Sequence, residues 1–120
     1  MTFPLLKNSA QGNVINISSV AGLTFLRTGA VYAMTKAALI QLTKNLAGEW
    51  AKYNIRVNAV APWYIKTPLA ETVLRDSNYL KEVLERTPMN KIGNPEDVSG
   101  AVSFLCMPAS AYTTGHCLNV

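Results

Sequence analysis

Tyr32 and Lys36 stand four residues apart, and on a helix that spacing places both on one face. A free phenol titrates near about 10 and is a poor base at neutral pH. An ammonium beside a phenol favours the phenolate, so a tyrosine placed like Tyr32 can exchange a proton with a hydroxyl or carbonyl. Lys36 can also bind a hydroxyl or phosphate of a cofactor. Ser19 lies upstream, in a loop after a short apolar run. Its hydroxyl can hydrogen-bond the same substrate oxygen as charge develops there. The Tyr-Lys pair alone is a loose signal. A chain of 120 residues with five tyrosines and seven lysines carries roughly 0.3 such pairs by chance. The same pair fits a surface lysine beside a packing tyrosine, so the surrounding elements decide.

Those elements alternate between β-rich and helical runs. Gly12-Asn13 reads as a turn and Val14–Ile17 as a buried strand. Ser18–Gly29 is rich in small residues and reads as a loop. From Gly29 to Tyr53 the pattern is helical, with Leu39, Leu42, Leu46 and Trp50 forming one apolar stripe. Asn54 is a stop. Ile55–Ala61 alternates as a strand and Pro62 ends it. Thr67–Arg86 holds one or two short helices. Asn94-Pro95-Glu96-Asp97 starts another, combining a capping residue, a first-turn proline and two acids at the positive end of the dipole. Val98, Ala101, Val102 and Leu105 give it a buried stripe, and Pro108 ends it. Cys117–Val120 is a last short strand. The expected fold is α/β: three parallel strands with flanking helices in the order β-α-β-α-β, a partial Rossmann-like, doubly wound sheet. Its outer edge is expected to carry unpaired backbone groups.

Composition narrows the function classes. The chain is 49% apolar and 15% charged, which suits a buried core. Net charge is +4. The bases before Glu49 are widely spaced, without the clustering of a nucleic-acid footprint. No apolar run approaches the roughly 18 residues of a membrane span. Cys106 and Cys117 fit neither a disulfide framework nor a metal site, and His116 stands apart from other ligand types. No metal, nucleic-acid or membrane partner is expected, and the compartment expected is the cytoplasm. Met89, Met107 and Trp50 read as packing residues and Cys117 as a buried strand residue.

In order along the chain stand Asn16-Ile17-Ser18-Ser19-Val20-Ala21-Gly22, Tyr32-Ala33-Met34-Thr35-Lys36, Arg56-Val57-Asn58-Ala59-Val60-Ala61-Pro62, Thr67-Pro68-Leu69 and Gly93-Asn94-Pro95-Glu96-Asp97-Val98. This series resembles the short-chain dehydrogenase/reductase superfamily. The run Leu46–Asn58 is most similar to its plant tropinone reductase-like branch. The resemblance covers essentially the whole chain. It implies that Ser19, Tyr32 and Lys36 are catalytic: Tyr32 the general acid/base, Ser19 polarising the carbonyl, Lys36 tuning Tyr32 and holding the nicotinamide ribose. It places Tyr32, Lys36, Pro62, Ile65 and Thr67 at the cofactor. The implied reaction is hydride transfer between NADP or NAD, with NADPH favoured, and a small ketone or alcohol.

By the same resemblance, residues 1–120 form a single domain unit matching the C-terminal half of such an enzyme. The family's fourth catalytic residue, an asparagine in the preceding helix, has no match here; only that helix's tail, near Phe3 to Lys7, is present. The glycine-rich dinucleotide loop belongs to the other half, and none of the seven glycines here forms one. Trp63 stands where the family has a glycine after Pro62. The indole either fills space at the nicotinamide or turns away to cover core. Two functions of different class follow: an NAD(P)-dependent oxidoreductase by lineage, or a non-catalytic module pairing with itself or a full-length relative.

Overall fold

The computed structural model describes residues 2–120. Strands β1 (Gly12–Ile17), β2 (Ile55–Ala61) and β3 (Cys117–Asn119) form one parallel sheet in that order. Gly12 lies opposite Ile55, and Ala59 opposite Cys117. The helices are α1 (Phe3–Asn8), α2 (Ala30–Trp50), α3 (Pro68–Leu74), α4 (Ser77–Glu85) and α5 (Pro95–Cys106). This is the expected β-α-β-α-β order, with α1 ahead of it and three helices in the second crossover. Among the described residues, β1 pairs only with β2, so its other edge is open. No helix among them is long and apolar enough to cross a membrane.

Side chains on the strands show which helix covers which face. Asn13 donates to the Leu105 carbonyl at the end of α5, and Asn16 donates to Thr43 Oγ1 on α2, each at 2.9 Å. Residues three apart on a strand point to opposite faces, so α2 and α5 cover the two sides of the sheet. On β2, Ile55 and Val57 pack against Ala47 of α2. Arg56 between them donates to the Leu105 carbonyl at 3.0 Å and to Ser110 Oγ at 3.2 Å. Asn58 is fully buried, donating to the Thr113 carbonyl and accepting from the His116 N–H. Burial on both faces explains why β2 carries Arg and Asn amid apolar residues. Their bonds tie the end of α5 and the approach to β3 onto the central strand.

Local chemistry sets the ends of the elements. Asn54 ends the long helix in a left-handed conformation (φ 57°), and its side chain donates to the Ala10 carbonyl. At the start of α5 the Asn94 N–H donates to Asp97 Oδ2 at 2.7 Å, with Pro95 in the first turn. Asp76 accepts from the N–H groups of Asn78 and Tyr79 and so caps α4.

Four sequence expectations need correction. Gly12 and Asn13 are the first residues of β1, not a turn. A side chain at Gly12 would lie 2.7 Å from Ile55 Cγ1, so glycine is there for strand approach. The buried residues of α2 are Ile40, Thr43 and Ala47. The leucine stripe runs along the flank of that face, and Leu42 is about half exposed at 48%. Ile40, Thr43 and Ala47 point directly at the strands, and Leu46 packs from the flank against the cluster of Ala47, Ile55 and Val57. Met89 and Met107 are exposed rather than packed. Cys117 is only half-buried, because β3 is short and lies at the sheet's edge; partial burial still pushes its thiol pKa up.

The core falls into two clusters. One joins Ala47, Ile55 and Val57 with Phe3, Leu6 and Trp50; the other joins Ala21, Leu26, Tyr64 and Val83. The molecule is elongated, at 50 × 28 × 22 Å, with a radius of gyration of 15.9 Å. A compact domain of this length has about 13.6 Å.

Candidate active site

The C-terminal ends of β1 and β2 open onto a cleft of about 840 Å³. Ser19, Tyr32, Lys36, Pro62, Ile65 and Thr67 all line it. The cleft thus gathers every residue that the resemblance placed at the reaction or the cofactor, from three separate segments.

Ser19 is nearly buried at 9% exposure and begins a single tight helical turn, Val20–Gly22. Its Oγ accepts from the Ala21 N–H at 3.2 Å, which leaves its O–H available to donate. The turn is fastened at its start: Ser18 N–H donates to the Val60 carbonyl and Val20 N–H to the Pro62 carbonyl. Gly22 then lies hard against α2. A Cβ there would stand 2.7 Å from Ala37 N and from the Lys36 carbonyl carbon. Only glycine permits this approach, which seats the Ser19 turn beside the helix that carries Tyr32 and Lys36.

Lys36 is fixed from two directions. Ser18 Oγ donates to its carbonyl at 2.8 Å, and its own Nζ donates to the Ile17 carbonyl at 3.1 Å. The ammonium sits 5.6 Å from the centre of the Tyr32 ring, within cation–π range. Tyr32 itself is 40% exposed on the first turn of α2. The helix places the phenol at the mouth of the cleft with the ammonium below it. Ser18 was not singled out from the sequence. The serine doublet was the only signal for it, and spacing could not divide the two hydroxyls between anchoring and chemistry.

The opposite wall follows β2. Tyr64 carbonyl accepts from the Gly93 N–H, and Lys66 N–H donates to the Gly93 carbonyl, so Ile65 bridges to the start of α5. Thr67 Oγ1 accepts from the Ala70 N–H and caps α3. Leu69 and Val73 of α3 extend the wall with apolar surface.

Trp63 takes the outward course. Its Nε1 donates to Thr87 Oγ1 at 2.9 Å beyond α4, the Arg86 guanidinium lies over its ring, and the ring meets Tyr64 edge-on. It packs on the Ala21–Leu26–Tyr64–Val83 cluster and also lines the cleft. Behind it, Tyr64 and Tyr79 join their hydroxyls in a hydrogen bond. Burial first, and that bond second, push the Tyr64 phenol well above its usual range. Arg27, in the loop before α2, stacks on Tyr79 and pairs with Glu82 at 2.9 Å. This cluster was not legible in the sequence, because its members meet only when α4 folds back on that loop.

A profile of the family described as enoyl-(acyl carrier protein) reductase matches residues 2–120. A tropinone reductase homolog of Arabidopsis thaliana is 56% identical over 117 residues. The chain belongs to the short-chain dehydrogenase/reductase superfamily. Within it, the chain falls in the tropinone reductase homolog branch. The alignment to the Arabidopsis relative takes in 98% of this chain and 44% of that one, so the chain spans less than half the relative's length. A gluconate 5-dehydrogenase from Burkholderia cenocepacia, solved with NADP and tartrate, superposes with a TM-score of 0.93 at 34% identity. That superposition covers 98% of this chain and 46% of the other. A 7α-hydroxysteroid dehydrogenase, solved with NADH and 7-oxoglycochenodeoxycholic acid, superposes at 0.90 with 33% identity, over 98% and 46% of the two chains. The short-chain dehydrogenase/reductase fold thus accounts for all the elements above.

Proposed function

We propose that the chain carries the reacting end of an NAD(P)-dependent oxidoreductase that interconverts a small ketone and its alcohol. The observation that supports this is the convergence of Ser19, Tyr32 and Lys36 with Pro62, Ile65 and Thr67 on one cleft at the strand ends. Ligands of open α/β sheets bind at such carboxyl ends. On this reading residues 1–120 are one domain unit, the C-terminal half of the catalytic domain.

The residues fit the nicotinamide end of such a cofactor. Tyr32, Lys36, Pro62, Ile65 and Thr67 would hold it, and when bound it supplies the hydride to the carbonyl carbon. NADPH is favoured by the resemblance to the tropinone reductase branch. Ser19 donates its free O–H to the carbonyl oxygen and stabilises the charge that develops there. Tyr32 delivers its phenolic proton to that oxygen, completing the alcohol. Lys36, anchored by Ser18 and the Ile17 carbonyl, offsets the negative charge left on Tyr32 and binds the ribose hydroxyls. The apolar walls from Ile65, Leu69 and Val73 exclude water from the reacting atoms. Both cysteines are free, in keeping with a reducing compartment such as the cytoplasm.

The test is a fluorescence titration of the 120-residue chain with NADPH and NADH, followed by reductase assays. Saturable micromolar binding is expected; turnover by this chain alone is expected to be weak, because the glycine-rich dinucleotide loop belongs to the other half, and to be lost in Tyr32→Phe. A folded sample that binds neither nucleotide overturns the reading.

One observation favours a second reading, a module that pairs with itself or with a full-length relative. The outer face of α2 leaves Val31, Met34 and Leu42 exposed, a row of apolar residues on a helix whose opposite face is already buried. Size measurement across a concentration series tests it, and a monomer throughout removes the self-pairing form.

A further inference from the structure

Helices α3 and α4 form an arm that leaves the body and returns to it at one place. Before α3 the Lys66 N–H donates to the Gly93 carbonyl, and after α4 the Gly93 N–H donates to the Tyr64 carbonyl, at 2.8 and 3.0 Å. The arm beyond this neck carries Leu69 and Val73, which form part of the cleft wall. It is fastened to the body through buried Val83, the Tyr64–Tyr79 hydroxyls, the Arg27–Glu82 pair and Trp63. The Arg27–Glu82 pair is exposed on both sides, and such pairs hold little. Trp63 is differently placed. Its Nε1 donates to Thr87 Oγ1 at 2.9 Å, and the same hydroxyl donates to the Val83 carbonyl at 2.7 Å, so one hydroxyl joins the indole to the last turn of α4. The Arg86 guanidinium carbon lies 5.2 Å from the centre of the Trp63 ring. Its Nη2 donates to the Phe25 carbonyl at 3.5 Å, in the loop that leads to Tyr32. The indole borders both the cleft and a second cavity of about 920 Å³, which Arg86, Thr87 and Met89 also line.

We propose that Trp63 is a positioning residue: wedged between the end of β2 and the last turn of α4, its indole fixes the α3–α4 arm opposite the Tyr32 side, so that the cleft has its shape before any ligand enters. The inference goes beyond the oxidoreductase reading and stands whatever ligand the cleft takes. Backbone bonds at the neck set where the arm starts and ends, but they leave its angle free. The indole sets that angle because it is large and rigid, with a polar edge that must find a partner when buried. Thr87 supplies that partner, and Arg86 closes the other side of the ring. The glycine that the resemblance places at position 63 would offer α4 neither contact. A wall held in advance spares a ligand the ordering cost of fixing it.

Distance across the cleft tests this directly. Nitroxide labels on Val31→Cys and Arg75→Cys, both exposed, report the spacing of α2 from the arm by pulsed electron spin resonance, with Cys106→Ser and Cys117→Ser removing the native thiols. With Trp63 present a single narrow distribution is expected. Thr87→Val keeps the shape of the side chain and removes the hydroxyl; it is expected to widen the distribution about twofold and to speed amide exchange in α3 and α4 about tenfold. Thr87→Ser is expected to restore both. Trp63→Gly is expected to widen the distribution further. Exchange in β2 and in the second half of α2 is expected to stay unchanged in Thr87→Val. An unchanged distribution in Thr87→Val overturns the proposal, and so does a failure of Thr87→Ser to restore it. Equal acceleration of exchange in β2 also overturns it, since Trp63 would then serve general stability rather than the placing of the arm. None of these readouts uses NADPH or turnover, so loss of the oxidoreductase reading leaves this inference standing, and the two fail separately.

Discussion

The two ends of the parallel sheet are built by the same helix to opposite purposes. At the end where β1 and β2 begin, the second half of α2 is locked down. Thr43 and Ala47 lie flat on the strands, and Phe3, Trp50 and Tyr53 close the edge with ring contacts of 4.9 and 5.3 Å. At the end where the strands finish, the first turns of α2 stand clear of the sheet, with Tyr32 exposed and Val31 and Met34 uncovered. A helix of 21 residues is about 31 Å long, longer than the strands it crosses, so one end must project. The contrast teaches that the Tyr32–Lys36 pair borrows its rigidity. Tyr32 and Lys36 are held in place by packing three turns away and by a few polar anchors close by.

The largest effect that could break this comparison is chemical. Tyr32→Phe is expected to lower reductase turnover by about 10²- to 10⁴-fold with an unchanged melting temperature, since the ring is exposed. A comparable loss of stability would show that the open end also carries packing. Next is Ile55→Ala at the closed end, 1% exposed, expected to cost about 2–5 kcal/mol in denaturant unfolding. A cost under about 1 kcal/mol would mean the closed end is not the stable one. Gly22→Ala probes the seam between the two. Its Cβ would meet α2 backbone at 2.7 Å, so about 1–3 kcal/mol of strain is expected, along with loss of turnover from displacing the Ser19 turn. Stability lost without turnover would separate the turn from the chemistry.

A fourth test uses pH. The Tyr64 phenol is raised in the folded chain by burial and by Tyr79. A raised group contributes stability that is complete below the unfolded value near 10 and is lost as pH climbs toward the folded value. Stability relative to Tyr64→Phe should therefore be flat up to about pH 9 and fall above 10, at up to about 1.4 kcal/mol per pH unit. Parallel alkaline curves for the two proteins would contradict it. The smallest expected effect is Leu42→Glu on the outer face of α2. The folded monomer should change by less than about 0.5 kcal/mol, while any dimer detected by ultracentrifugation should dissociate. A large destabilisation of the monomer would mean that face belongs to the core.

Much of this arrangement was legible from residue order. The strand after Asn13, the capped start at Asn94, the stop at Asn54 and the site residues Ser19, Tyr32 and Lys36 depend on local rules or on ordered motifs. Other features were not legible, for definite physical reasons. Gly12 looked like a turn because glycine serves both turns and close strand approach, and only Ile55 across the ladder distinguishes them. The leucine stripe of α2 looked like the buried face because periodicity ranks residues by apolarity. The helix instead turns Ile40, Thr43 and Ala47 toward the sheet, a face that mixes one large residue with two small ones. The direction of Trp63 depended on Thr87, 24 residues away in the chain.

The sequence by itself determined the α/β alternation, the parallel pairing of the strands and the identity of the residues that meet at the cleft, because periodicity, capping and motif order are properties of short runs of chain. Only the tertiary structure decided which hydroxyl of the serine doublet anchors Lys36 and which is left with its O–H free to donate, where Trp63 turns, and that Arg27 pairs with Glu82. Each of those is a contact between segments far apart in the chain, and its energy exists only once the strands and helices have been brought together.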